Sequence, residues 1–137
     1  MIIYMDENIP KHLAEGFHIL QNPEGIKSGY PLKVKYIPTD FGKGALDKDW
    51  IPKLGELKAC VITRDLNINR RKHEIELYKK SEIGVFFLKG ASKKAGLSVW
   101  EMVKILSKHW NDISKAVHEN NRPFAYEVTY RKLKRIS

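Results

Sequence analysis

Ile2-Ile3-Tyr4-Met5 runs directly into Asp6-Glu7-Asn8-Ile9-Pro10, and the pattern returns where Cys60-Val61-Ile62-Thr63-Arg64 runs into Asp65-Leu66-Asn67. Short apolar runs of this kind read as buried parallel strands, because a strand covered on both faces need not alternate. In an open α/β sheet, ligands bind outside the carboxyl ends of the strands. Each run delivers an aspartate to that edge. In a strongly basic protein, the pair suggests a metal site facing a polyanion.

The rest of the chain fits around these two runs. Asn8 is placed to cap a helix with Pro10 in its first turn, carrying Ile9, Leu13, Phe17 and Leu20 on one face. Asn22-Pro23-Glu24-Gly25 is expected to stop it. Val34-Lys35-Tyr36-Ile37 reads as a second strand ended by Pro38, and Phe41 to Leu46 as a loop with two glycines. Asp47-Lys48-Asp49 opens a short helix bearing Trp50, Ile51, Leu54 and Leu57. A basic helix follows from Asn69 to Lys80, then a continuous apolar strand at Ile83-Gly84-Val85-Phe86-Phe87-Leu88. Ser98 and Glu101 form a capping box. The helix they open places Val99, Met102, Val103, Leu106, Trp110, Ile113 and Val117 on one stripe. Asn120-Asn121-Arg122-Pro123 ends it. Phe124, Tyr126, Val128 and Tyr130 alternate as a last strand, and Arg131 to Arg135 reads as a frayed basic tail. The order predicts one α/β domain over residues 1–137, with a mostly parallel sheet between helices.

The chain has 137 residues, 42% hydrophobic, enough for a single core. No apolar stretch is long enough to cross a membrane, and Asp6 and Glu7 interrupt any signal-like N-terminus, so a cytoplasmic location is expected. The lone Cys60 lies in a strand and reads as a small core residue. A formal charge of +9 favours a partner carrying phosphates, most simply nucleic acid.

Asp6, Asp47, Asp49 and Asp65 can all reach one edge of such a sheet. Mg²⁺ and Mn²⁺ are hard ions that prefer carboxylate oxygens and water. Carboxylates holding such an ion orient a phosphodiester for hydrolysis. Each residue also has a plainer reading. Asp47 or Asp6 can cap a helix, Asp65 can start a turn, Asp40 reads as a loop residue, and Glu7 can point away. Three aspartates at matching ends of successive strand–helix units weigh more than any one.

These segments, with Gly44-Ala45-Leu46-Asp47-Lys48-Asp49-Trp50-Ile51 between them, occur in the order seen in PIN-like domains. The chain resembles that family, and within it the VapC-type toxins of toxin–antitoxin systems. The likeness runs on through Gly84-Val85-Phe86-Phe87-Leu88 to Pro123-Phe124-Ala125-Tyr126. It implies a three-layer α/β/α sandwich and a Mg²⁺- or Mn²⁺-dependent ribonuclease. By resemblance, Asp6, Asp47 and Asp65 hold the metal, with Asp49 as a helper. The family's usual middle glutamate is an aspartate here, and a clear fourth acid is missing, with Asn67 or Glu74 as weaker substitutes. A cognate antitoxin protein is the implied partner, and a homodimer is admitted.

Arg64, Arg70, Arg71 and Lys72 cluster at and after the end of the third, acid-bearing strand and, with Asn67, are candidate RNA contacts, or else a solvated helix face. Thr63 either bonds an aspartate or phosphate or satisfies strand geometry. Lys89, Lys93 and Lys94 form a second candidate phosphate contact. His73 reads as a surface histidine, and Trp50, Trp100 and Trp110 as core or interface residues. Two other classes compete with a nuclease. One is a PIN-like module that binds RNA or protein without cutting. The other is a phosphoacceptor receiver, disfavoured because a single helix separates Asp65 from the Lys89 strand.

Overall fold

The computed structural model describes residues 1–64, 68–90 and 97–137, with backbone alone for 68–71. Strands β1 (Ile2–Met5), β2 (Lys33–Tyr36), β3 (Cys60–Arg64), β4 (Gly84–Leu88), β5 (Phe124–Val128) and β6 (Leu133–Arg135) form one sheet in the order β2-β1-β3-β4-β5-β6. All pairings are parallel except the last, where β6 runs against β5. Five helices are described: α1 (Lys11–Ser28), α2 (Ile37–Phe41), α3 (Asp47–Glu56), α4 (Ile68–Lys80) and α5 (Val99–Glu119).

Alternation along the strands splits the core in two. Ile3, Met5, Cys60, Ile62, Phe86 and Leu88 pack with α1 and α5 on one face. Tyr4, Val61, Val85 and Phe87 pack with α2, α3 and α4 on the other. The result is the expected α/β/α sandwich. The steps β3–α4–β4 and β4–α5–β5 go the same way across the sheet, yet α4 and α5 cover opposite faces. These two crossovers therefore have opposite hands. The β1–α1–β2 step runs the other way on the α5 face and shares the hand of the α4 crossover. The α5 crossover thus differs in hand from the other two. It brings Trp110 of α5 edge-on to Phe17 of α1 at 4.6 Å.

Several local expectations are corrected. Helix α1 runs through Pro23 and ends only at Gly29, whose φ of +83° closes a Schellman motif with Tyr30 N–H bonded to Gly25 O. Pro23 is exposed, so the carbonyl it leaves unpaired faces water and the helix survives. Leu20 is exposed; the buried position one residue on is Gln21, which accepts from Trp110 Nε1 and donates to Leu32 O. Ile37 and Pro38 open helix α2 instead of ending β2, because proline suits a first turn. Asp40 lies in α2 and accepts a 2.6 Å hydrogen bond from Tyr4, with Lys35 3.2 Å away. The basic tail is not frayed. A turn at Thr129–Lys132 reverses the chain, and Val128 pairs with Leu133. Trp50 and Trp110 are buried, but Trp100 is 75% exposed. The Ser98–Glu101 capping box, the α5 stripe and the buried Cys60 are as read. Burial pushes the Cys60 thiol up and keeps it neutral.

Candidate functional site

The chain leaves β1 toward β2 on one side, then crosses to β3 on the other. The crevice at the carboxyl ends of β1 and β3 is therefore the topological switch point. Met5 pairs with Ile62, so the residues just beyond, Asp6 and Thr63, meet across this crevice.

Asp6 is half-buried. Its backbone N–H bonds Ile62 O at 3.0 Å, which fixes the carboxylate at the strand end. Thr63 Oγ1 donates to Asp6 Oδ2 at 2.9 Å, and Glu7 N–H donates to Asp6 Oδ1. Asn8 does not cap α1, whose N-cap position, Pro10, has no side-chain cap bond. Instead Asn8 Nδ2 donates to Thr63 Oγ1 at 3.2 Å, and its Oδ1 accepts from Arg64 N–H at 3.4 Å. One amide thus ties the segment after β1 to the end of β3. Thr63 is fully buried, so its hydroxyl has no water to turn to.

Burial, the largest cause, raises the Asp6 carboxyl above its ordinary range; the charges of Asp47 and Glu7 add to it, while the Thr63 and Glu7 hydrogen bonds oppose it. Among the described residues no cation pairs with Asp6 or Asp47. The crevice is a negative spot in a positive protein. Tyr36 lies on its rim, donating to Glu7 O at 3.3 Å, and burial with the Glu7 and Asp6 charges raises its hydroxyl too.

Of the predicted acids, Asp47 lies near enough for its charge to act on Asp6. Asp49 is exposed on α3, because residues two apart on a helix face different ways. Glu7 turns outward and accepts the Gly44 N–H at 3.1 Å, holding the loop that leads into Asp47. Arg64 is half-buried at the end of β3, and Lys72 and His73 are exposed on α4. Asp65, Asn67, Lys93, Lys94 and the side chains of Arg70 and Arg71 lie outside the described residues. Among the described residues no three His, Cys, Asp or Glu side chains form a metal-holding group. The Asn8 bridge and the Glu7–Gly44 clasp escaped the sequence reading. The signal for the clasp was a two-glycine loop just before Asp47.

A family model described as a PIN-like domain matches residues 1–90, from β1 through β4. The match is narrower than the likeness read from the sequence, which extended to β5. Neither curated proteins nor solved structures give a match to the chain. The strand order, the acid at the end of β1 and a family match over well over half the sequence lead to one conclusion: this chain belongs to the PIN-like domain family.

Proposed function

We propose that this PIN-like domain is a metal-dependent endoribonuclease that hydrolyses RNA phosphodiester bonds. The observation that carries the reading is Asp6: a half-buried carboxylate at the switch point, within reach of the Asp47 charge, with no cation paired to it among the described residues. Such a group fits a hard divalent ion, since both aspartates offer oxygen donors and the ion relieves their mutual repulsion. Asp6 and Asp47 would hold Mg²⁺ or Mn²⁺, with Asp65 as the third ligand. The bound ion supplies Lewis-acid chemistry to phosphodiester hydrolysis. The chain's own residues do the positioning. Thr63 and Glu7 N–H each hold one Asp6 oxygen, which leaves a lone pair on each for a ligand. Asn8 locks the segment after β1 to the end of β3 through Thr63 and Arg64 N–H. Arg64, Asn67, Arg70, Arg71 and Lys72 would hold backbone phosphates, and Asp49 would attract the ion at longer range.

Within this reading the protein is the toxin of a type II toxin–antitoxin pair. A small antitoxin would cover the crevice with a basic side chain set among the aspartates. A homodimer is compatible with it. No helix among the described residues is long and apolar enough to cross a membrane, and we place the protein in the cytoplasm. A second reading, a non-catalytic module binding RNA or protein, draws on the finding that no metal-holding group of three such side chains forms among the described residues. Incubating purified protein with RNA, with Mn²⁺ or with chelator, separates the two. Cleavage that requires the metal supports the nuclease. Salt-sensitive binding without cleavage across several RNAs and metals supports the module.

A further inference from the structure

A second feature lies along the same carboxyl edge, in the part of the chain beyond the family match. A cleft of about 890 Å³ opens between α5 and the β5–β6 turn. Its walls carry four cations, Lys89, Lys104, Lys108 and Arg131, against one carboxylate, Glu101, with Tyr130 at the turn. On α5 the cations form a row. Trp100, Lys104 and Lys108 are spaced at i, i+4 and i+8, so they share one face, and all three are exposed. Tyr130 faces this row from the turn, 56% exposed, with Lys108 Nζ 4.2 Å from its ring centroid.

The turn that carries Tyr130 is held firmly. Buried His109 directs Nε2 at Thr129 O, 2.8 Å away, and at Tyr130 O, 3.2 Å away. Both partners are carbonyl acceptors, so Nε2 carries the hydrogen. Thr129 and Lys132 exchange further hydrogen bonds across the turn. Lys89 sits 3.9 Å from Glu127, whereas Lys104, Lys108 and Arg131 have no carboxylate partner among the described residues. Aromatic side chains interleaved with cations that lack a carboxylate partner match the needs of a single-stranded nucleic acid, whose bases stack while its phosphates are neutralised.

Position completes the argument. Lys89 directly follows β4, and β3 alone separates β4 from β1, the strand that runs into Asp6. At the usual strand spacing the cleft begins about 10 Å across the sheet edge from Asp6. A few nucleotides of single strand bridge that distance.

We infer that the α5/β5–β6 cleft binds the single-stranded RNA flanking the cleaved bond, with Tyr130 stacking a base and Lys104 and Lys108 holding phosphates. This rests on the ribonuclease reading of the Asp6 crevice, and the test separates the two. Labelled single-stranded RNAs of about twelve and about three nucleotides are titrated in chelator by fluorescence anisotropy, and their cleavage is followed with Mn²⁺. For the long RNA, Tyr130→Ala is expected to weaken binding about fivefold or more, with Tyr130→Phe restoring it. The Lys104→Ala, Lys108→Ala double variant is expected to lower the salt dependence of that binding by about 1.4 in the log–log slope. Cleavage of the short RNA should be unchanged in every variant. Wild-type-like binding and cleavage of the long RNA by these variants would overturn the cleft assignment and leave the nuclease standing. A wild-type protein that neither binds nor cuts RNA of either length, but binds a poly-glutamate peptide through Lys104 and Lys108, would overturn both readings in favour of an acidic protein partner.

Discussion

Thr63 donates its buried hydroxyl hydrogen to Asp6 Oδ2 at 2.9 Å, across the crevice between β3 and β1. The contact joins two residues 57 positions apart and fixes the orientation of the acid on which the proposed chemistry depends. Replacing Thr63 by Val keeps the shape and removes the donor, leaving Asp6 and Asn8 short of a partner. The expected cost is about 1–3 kcal/mol in urea unfolding, with a fall in RNA cleavage of about tenfold. Thr63→Ser retains the hydroxyl and should recover most of the cleavage. Equal cleavage by Thr63→Val and wild type would remove Thr63 from the positioning role.

Asp6 should oppose stability at neutral pH. Its folded pKa lies above the ordinary 3.8, chiefly through burial. The folded state then binds the proton more tightly than the unfolded one. The stabilising contribution is complete below the unfolded pKa and is lost as pH rises through the folded pKa. At pH 7 the charged carboxylate is a net cost, so metal-free Asp6→Asn should melt a few degrees higher than wild type, by about 2–4 °C. The gain should shrink as pH falls toward 4. Mn²⁺ should raise the melting temperature of wild type and leave Asp6→Asn unmoved. Thermal scans with and without Mn²⁺ at several pH values check all three.

Gly44 has a φ of +75°, donates its N–H to Glu7 Oε1 and stands three residues before Asp47. Nothing lies within 4 Å of a Cβ added there, so Gly44→Ala isolates the backbone penalty. That penalty is about 1–2 kcal/mol. The loop should relax and carry Asp47 away from Asp6, so apparent Mn²⁺ affinity should fall by severalfold in calorimetry. Glu7→Gln keeps an acceptor for Gly44 and should preserve it.

Much of the frame was legible because apolar runs and caps are local signals. The β1 run, the unalternating β4 and the Ser98–Glu101 box are each read within a few residues. What escaped depends on contacts distant in sequence. Asn8 next to Pro10 has every local mark of a cap, yet Thr63 and Arg64, more than fifty residues away, compete for its amide. Leu20 loses to Gln21 because Trp110 of α5 and Leu32 O offer the amide two partners. The Leu133–Arg135 strand is three residues long, too short for alternation to show. Asp6 and Asp47 were both named from position alone. The order of elements already puts them at one sheet edge; that the Asp47 charge acts on Asp6 is seen only in the fold.

Gly84 opens β4 opposite Phe124, and a Cβ there would run into the Phe124 ring. That ring is wedged against Phe86 and Tyr126 and has no room to retreat. Gly84→Ala should therefore destabilise by about 1–3 kcal/mol in urea unfolding. The site lies at the other end of the strands, so RNA cleavage by the folded fraction should be unchanged.

The most direct test of the central claim is RNA cleavage in Mn²⁺ by wild type beside an Asp6→Asn, Asp65→Asn double variant, with folding of both checked by circular dichroism. The account predicts metal-dependent cleavage by wild type and, from the folded double variant, a loss of at least about a hundredfold. Equal cleavage by the two proteins would contradict it.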